Sequence, residues 1–123
     1  RGHFTDDGPV IQKRTKGGIW IPLNGRHLQT IGYGDRWAWG AAKGPGTLRT
    51  AYAILFDATS NEQTAVRLHR LYRNRVVRTW TTSEWKISAD APRDWCRKWQ
   101  ERIRKNPRYR SILANFTEIE TVA

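Results

Sequence analysis

The sequence predicts an α+β fold in which a small antiparallel sheet is packed by about four helices. Weakly alternating, β-favouring segments separated by turn glycines fill the first third of the 123-residue chain. After a glycine-rich loop, apolar residues recur with helical spacing in several successive stretches. The length favours a single domain over residues 1–123, with residues 88–123 as a helical extension of its core.

The predicted sheet follows a loosely attached start. Residues 1–9 crowd glycines, a proline and adjacent aspartates together, which is typical of a flexible terminus. Residues 10–15 and 19–21 flank a Lys-Gly-Gly turn and predict a hairpin. Beyond an Asn-Gly turn, residues 28–33 and 36–39 are predicted as further strands.

A glycine-rich loop connects the predicted sheet to the first helix. Trp37 and Trp39 stand two residues apart, so both indoles are predicted to point to one face of an extended segment. The glycines that follow permit backbone angles that other residues avoid. Thr47 is predicted to cap a helix over about residues 48–57, whose apolar positions recur with helical spacing. Those positions are Leu48, Ala51, Tyr52 and Leu55.

The second predicted helix opens at overlapping capping boxes. One pairs Ser60 with Gln63, and the other pairs Thr59 with Glu62. Residues 76–80 after this helix favour β structure and are predicted to close the sheet. The apolar arc of the helix consists of Ala65, Leu68, Leu71 and Tyr72.

The third predicted helix starts at Asp90, a favoured cap, with Pro92 tolerated in its first turn. Pro107 is predicted to end this helix and to begin a fourth. The inward face of the third helix consists of Trp95, Cys96, Trp99 and Ile103. The buried candidates of the fourth are Tyr109, Ile112, Leu113 and Phe116.

Positive charge is concentrated in the second half of the chain. Lys and Arg number 22 against 11 Asp and Glu, for a formal charge of +11. Residues 63–110 hold 14 basic and 4 acidic residues, which gives +10. Such a concentrated positive face is expected of a protein that binds a polyanion, although excess charge also serves solubility alone.

Arginines on the second and third predicted helices are the strongest functional signal. They lie away from the apolar arcs, and acidic residues at i,i+4 spacing do not account for them. Arginine suits bidentate contact with phosphate, whereas a solvated helix face is the plainer alternative. The candidate nucleic-acid-binding residues are Arg67, Arg70, Arg73, Arg75, Arg78, Arg93, Arg97, Arg104 and Lys43.

Most of the seven tryptophans are predicted to lie in the core, because burial is where large aromatic side chains stabilise a fold most. Trp37 or Trp80 is the favoured candidate for an exposed indole among arginines. An indole in that position can stack on unpaired bases.

Other chemistries have little support in the sequence. The loop before the first helix does not match a phosphate-binding loop, because Pro45 and Gly46 stand where glycine and lysine are required. Isolated histidines give no metal site, and neither a cofactor nor an enzymatic activity is predicted. Asp35 and the N-terminal aspartates are poorly arranged to hold magnesium for a nuclease. The lone Cys96 is predicted to be a core residue rather than a nucleophile.

No segment approaches the ~18 apolar residues of a membrane span. A single cysteine cannot form a disulfide within the chain, so nothing favours an oxidising compartment. Together these two observations favour a cytoplasmic protein without a membrane partner.

A set of motifs between residues 18 and 87 resembles a known family. They are Trp37-x-Trp39-Gly40, Gly44-Pro45 with Leu48, Ala53-Ile54-Leu55, Ala65, Leu68, Tyr72, Val76-Val77 and Trp85-x-Ile87. With them the chain resembles DUF6166, a domain of unknown function. The resemblance implies a small α+β domain common in phages, plasmids and prokaryotic genomes, and it implies no activity. The loop departs from the Trp-Gly-Tyr-Gly-Gly-Ser-Gly-Pro usual in the family, and the arginine-rich helices after Ile87 look like an addition.

The sequence therefore predicts a non-enzymatic nucleic-acid-binding protein of a phage or other mobile element, with DNA favoured over RNA. Its arginines would neutralise backbone phosphates with little sequence preference, since Asn74 is the lone hint of base reading. Contact with about six phosphates would give a slope of log K against log salt near −5 on duplex DNA. The alternative is a basic interaction module, an accessory or inhibitory protein that docks on an acidic partner.

Overall fold

Within residues 1–23 and 33–109, which the computed structural model describes, the chain forms the predicted α+β fold. Its elements are β1 Gly2–Thr5, β2 Gly8–Arg14, β3 Trp20–Pro22, α1 Gly46–Thr59, α2 Glu62–Arg75 and α3 Asp90–Lys105. A short 3₁₀ turn, Val77–Thr79, follows α2. The strands form an antiparallel sheet in the order β1-β2-β3.

The predicted hairpin is confirmed as β2 and β3. The two strands pair from Arg14 opposite Trp20 to Gln12 opposite Pro22. The remaining predicted strand before the glycine-rich loop, together with its Asn-Gly turn, falls mostly in residues 24–32 and lies outside the described residues.

The expectation of a loosely attached start over residues 1–9 is wrong. β1 pairs with β2 along its whole length. On its other side, Gly2 exchanges two backbone hydrogen bonds of 3.0 Å with Trp85. These pairings satisfy backbone groups on both edges of β1, so the segment belongs to the sheet.

Two other segments predicted as strands are not strands. Residues 36–39 bond to α1 instead, because the Ala38 amide donates to Thr50 Oγ1 at 3.3 Å and that hydroxyl donates to the Ala38 carbonyl at 2.7 Å. Within residues 76–80 the chain forms the 3₁₀ turn Val77–Thr79, because the Val76 amide donates to the Tyr72 carbonyl at 2.8 Å and prolongs the hydrogen bonding of α2.

The first two helices start at residues other than the predicted caps. α1 begins after Pro45, so Thr47 is the second residue of the helix and does not cap it. Its side chain is buried, with 1% of its surface exposed. α2 uses neither predicted capping box. Its cap is Asn61, whose side-chain oxygen accepts from the Thr64 amide at 3.0 Å, while Ser60 ends α1 in a left-handed conformation with φ +52°.

The third helix differs from its prediction by one position at the start. Asp90 is the first residue of α3 rather than its cap, and Ser88 Oγ accepts from the Ala91 amide at 3.2 Å. α3 ends at Lys105, two residues before Pro107, as predicted. Helical backbone resumes at residues 107–109, and the rest of the predicted fourth helix lies outside the described part of the chain.

α1 is the central helix of the fold. All of residues 46–55 are buried, so the helix lies in the interior rather than on the surface. The predicted inward faces of the other two helices join the same core, with Trp95 half-buried at its edge. The buried members are Ala65, Leu68, Leu71 and Tyr72 of α2 and Cys96, Trp99 and Ile103 of α3. None of the described helices is both long enough and apolar enough to cross a membrane.

Aromatic contacts attach the sheet to this core. Trp85 lies edge-on to Trp39 with 5.7 Å between ring centroids, and it stacks on Trp80 at 4.1 Å. Phe4 of β1 contacts Trp39 at 5.2 Å. The sheet is therefore held both by the bridge from β1 to Trp85 and by a cluster of four aromatic rings.

We expect Gly40→Ala to lower the free energy of unfolding by about 2–4 kcal/mol in urea titrations. Gly40 has φ +68°, and an added Cβ would lie 2.6 Å from the Trp80 carbonyl oxygen, which cannot easily move. Gly44→Ala separates the cost of the positive φ from the cost of the close contact, because Gly44 has φ +92° with nothing within 4 Å. This variant should lower the free energy of unfolding by about 1 kcal/mol.

Gly17→Ala is the matched control for both variants. Gly17 has no positive φ, and its nearest neighbour would be Thr15 Oγ1 at 3.9 Å, so the variant should unfold like the parent protein. Equal losses at all three glycines would contradict the assignment of the larger cost to the Gly40 contact.

Candidate polyanion-binding surface

The arginines of α2 and the following turn form a broad basic face rather than a narrow stripe. Arg67 is exposed, whereas Arg70 and Arg73 are half-buried. Residues three apart on a helix differ by about 60° around its axis, so these three wind across the face. Arg75 and Arg78 continue the series and are exposed. These five residues are called the α2 surface below.

Three arginines of the α2 surface lie close enough to repel one another. Burial lowers the pKa of Arg73, and the charges of Arg78 and Arg70 lower it further. Arg73 Nε donates to Asn74 Oδ1 at 2.7 Å, a neutral partner that leaves the charge uncompensated. Among the residues that the structure describes, no carboxylate forms an ion pair with Arg73 or Arg78.

The predicted arginines of α3 are instead paired with carboxylates of their own helix. The prediction that acidic partners do not account for this stripe is wrong, because the carboxylates lie three residues before the arginines rather than at the i,i+4 spacing considered. The N···O distances are 3.5 Å for Asp90–Arg93, 2.6 Å for Asp94–Arg97 and 2.6 Å for Glu101–Arg104. The two predicted stripes therefore differ in electrostatic character.

A groove of about 380 Å³ lies between α2 and α3, with an arginine from each helix in its lining. Arg67 comes from α2 and Arg104 from α3, and Leu68 and Ile103 line the groove with them. Arg67 has neither an ion pair nor a hydrogen-bonding side chain within the described ranges. The fold thus brings together one predicted site residue from each stripe.

Trp99 brings a second arginine of each helix together. The Cζ atoms of Arg75 and Arg102 lie 5.5 Å and 4.9 Å from its ring centroid, in cation–π contact. Sequence reasoning missed Arg102. Its position three residues after Trp99 on a helix is the signal that could have identified it, since such residues are neighbours on the helix surface.

The structure places Lys43 and the two tryptophans considered for base stacking away from this groove lining. Lys43 is exposed in the loop before α1. Trp37 is half-buried, with Arg49 Cζ 4.4 Å from its ring centroid, and half-buried Trp80 stacks on Trp85. Neither indole is fully exposed, so the α2 surface is the stronger candidate site.

Two further residues with side chains capable of chemistry, His69 and Cys96, lie in the core. His69 is 1% exposed, and its Nδ1 donates to the Ala65 carbonyl at 2.8 Å, while its Nε2 lies 2.8 Å from the Tyr33 hydroxyl. Cys96 is 2% exposed, as predicted for a core residue, and burial raises the pKa of its thiol to about 12. Over residues 1–23 and 33–109, no group of three or more His, Cys, Asp and Glu could hold a metal ion.

Comparison with known proteins gives one match. The model of a family of unknown function, DUF6166, matches residues 1–98. This match extends the resemblance seen over residues 18–87 to the strands β1 and β2 and to the first half of α3, so the start of that helix is not an addition to the family domain. Neither a curated protein nor a solved structure matches the chain.

We expect Cys96 to resist iodoacetamide in the native protein at about pH 8, because a buried thiol with a raised pKa does not form the reactive thiolate there. Mass spectrometry should detect one label per chain after unfolding in urea. Ser83→Cys supplies a control at an exposed position and should accept a label without urea. Native labelling of Cys96 at the rate of the control cysteine would contradict its burial.

We also expect the free energy of unfolding to fall as the pH rises above about 9. Burial raises the pKa of both Cys96 and Tyr72, so these groups ionise first in the unfolded chain, which then binds fewer protons than the folded one. The slope should reach about 1.4 kcal/mol per pH unit for each group in urea titrations at a series of pH values. In Cys96→Ala the fall should begin about one pH unit higher, and an unchanged onset would count against the role of the thiol.

Proposed function

The chain belongs to DUF6166, a family of unknown function, and we propose from its surface that it binds nucleic acid without catalysing a reaction. In this proposal the α2 surface neutralises backbone phosphates, and DNA is the favoured partner. Binding depends little on base sequence. A nucleic-acid partner also implies an intracellular location.

The observation that carries the proposal is that, in the part of the chain that the structure describes, no carboxylate forms an ion pair with Arg67, Arg73, Arg75 or Arg78 of the α2 surface. Between residues 62 and 79 the chain holds five arginines and one acidic residue, Glu62. On α3 the same chain places a carboxylate beside each of three arginines. Like charges held together without carboxylates repel, and phosphate groups relieve that repulsion while accepting bidentate hydrogen bonds from arginine.

The contacts of Asn74 support backbone binding over base reading. Asparagine reads adenine through both its amide oxygen and its amide nitrogen. The Asn74 oxygen accepts from Arg73 Nε at 2.7 Å, so it positions a cation instead. This arrangement favours contacts with phosphates, which carry no direct sequence information.

An acidic protein is the alternative partner, and it would use the same arginines. The two partners differ in how binding responds to salt. Release of counterions condensed on nucleic acid makes log K fall linearly with log salt, by about 0.9 for each phosphate contacted on duplex DNA. The four arginines without a carboxylate partner in the described part of the chain, Arg67, Arg73, Arg75 and Arg78, predict a slope of about −3.5.

We expect the double variant Arg67→Gln with Arg78→Gln to bind duplex DNA at least about tenfold more weakly than the parent protein. The slope of log K against log salt should also become shallower by about 1.8, since two phosphate contacts are lost. Fluorescence anisotropy of a labelled duplex at several salt concentrations measures both quantities, with protein first freed of nucleic acid by a high-salt wash.

Arg14→Gln with Lys16→Gln is the matched control. Both residues are exposed on the hairpin, and the variant loses the same two charges. It should keep the parent slope and lose less than about threefold in affinity, because only the general field of the protein changes. Equal effects of the two double variants would place the binding surface elsewhere, and no binding by the parent protein at low salt would refute the proposed function.

A further inference from the structure

The groove between α2 and α3 combines an apolar floor with a polar rim. Leu68 and Ile103 line it with only 2% and 5% of their surfaces exposed. Thr64 and Gln100 add a hydroxyl and an amide to the lining. The phosphates of a duplex would meet the rim, but the duplex keeps its bases stacked inside, so none of its bases would reach the floor of the groove.

The polar groups of the rim are available to a ligand. Gln100 Nε2 lies 3.4 Å from Thr64 Oγ1, which is longer than the usual 2.7–3.2 Å of such a hydrogen bond. A bond of that length is weak, so both groups can turn to a ligand at little cost. Arg67 beside them has no side-chain partner in the ranges described, and its guanidinium offers five donors.

The charge on the far side of the groove is positive despite the nearby carboxylate. Glu101 pairs with both Arg104 at 2.6 Å and Lys105 at 3.3 Å, so the three groups together carry one positive charge. The hydrogen bonds from these two cations lower the pKa of Glu101 and keep the carboxylate ionised and engaged. Arg104 uses two of its donors on Glu101, which fixes its guanidinium at the groove.

We infer that this groove holds one unstacked nucleotide of a single-stranded nucleic acid. The phosphate binds Arg67 and Arg104, the base lies over Leu68 and Ile103, and Gln100 with Thr64 bonds to a polar edge of the base. Only single strands can place a base in such a site without breaking base pairs. This inference rests on the proposed function and deepens it by naming the kind of nucleic acid.

The test uses the variants Gln100→Glu and Gln63→Glu in the full chain. Both add one negative charge at an exposed glutamine near Arg67, since Gln63 lies four residues before it on α2 and Gln100 lines the same groove. Of the two glutamines, only Gln100 lines the groove itself. Fluorescence anisotropy with a labelled oligothymidine should show Gln100→Glu binding about tenfold more weakly than Gln63→Glu, in the range expected for loss of one base contact. With a duplex of the same length the two variants should agree within about twofold, because each places a carboxylate near the Arg67 contact that both kinds of nucleic acid use.

A second variant tests the floor without a change in charge. Thr64→Leu places apolar bulk in the groove and should weaken binding of oligothymidine by about fivefold or more while leaving duplex binding unchanged. Circular dichroism and urea titration would establish that each variant is folded. Loss of folding in Thr64→Leu leaves the two glutamate variants to decide the question, since both change exposed residues.

The outcomes separate this inference from the proposed function. Oligothymidine binding that is equal in Gln100→Glu and Gln63→Glu would overturn the groove site, even if duplex binding supports the α2 surface. Binding of labelled polyglutamate that only Gln100→Glu weakens, with oligothymidine unaffected, would assign the groove to an acidic polypeptide and also overturn it. A parent protein that binds neither oligonucleotide refutes the proposed function itself.

Discussion

Burial of residues 46–55 of α1 on all sides is the constraint from which the rest of the fold follows. A buried helix needs a partner for each polar side chain that it carries. Thr50 meets this need by exchanging hydrogen bonds with Ala38. Arg49 meets it in part, because its Nη1 donates to the Gly34 carbonyl and its guanidinium lies over Trp37, whereas its buried Nε has no hydrogen-bond partner in the described part of the chain. The residues before α1 are therefore bound to the helix, which explains why they do not pair as a strand.

The same constraint shapes the surface. α2 and α3 both pack against α1, so their remaining sides face outward next to each other and leave a groove between them. The two helices differ in whether the arginines on those sides have carboxylate partners. On α3 they pair with carboxylates one turn away, and such exposed pairs contribute little to stability. On the α2 surface, Arg67, Arg73, Arg75 and Arg78 have no carboxylate partner among the described residues, which makes that face the more costly one to maintain in the absence of a polyanion.

Apolar periodicity made the helices and their buried faces predictable, because inward residues of a helix recur at the same spacing in any packing. The strands predicted over residues 36–39 and 76–80 failed because β propensity measures how well a residue suits a half-buried surface. Trp39 and Val77 satisfy that preference by burial in the core rather than by pairing. The capping prediction at Thr47 failed because α1 begins at Gly46, one residue before Thr47, which makes Thr47 a buried residue of its first turn.

The candidate site was predictable only in part. Arginine spacing indicated the α2 surface, and the carboxylates three residues before the α3 arginines could have been recognised from the sequence. The approach of Arg67 to Arg104 could not, because it depends on how two helices pack on a third. Arg102 was not predicted because Trp99 was expected only to fill the core. The Trp99 indole both lies in the core and contacts the Arg102 guanidinium through its ring face.

The bridge between Gly2 and Trp85 has a consequence for the order of folding. It joins the second residue of the chain to the eighty-fifth, so its two hydrogen bonds form only after nearly the whole domain has been brought together. The entropy lost in closing so long a loop exceeds what two hydrogen bonds return, whereas the contacts within and between α1 and α2 are local. We expect the helices to assemble first and the sheet to dock last through β1, which makes the sheet the first part of the molecule to detach in partial unfolding.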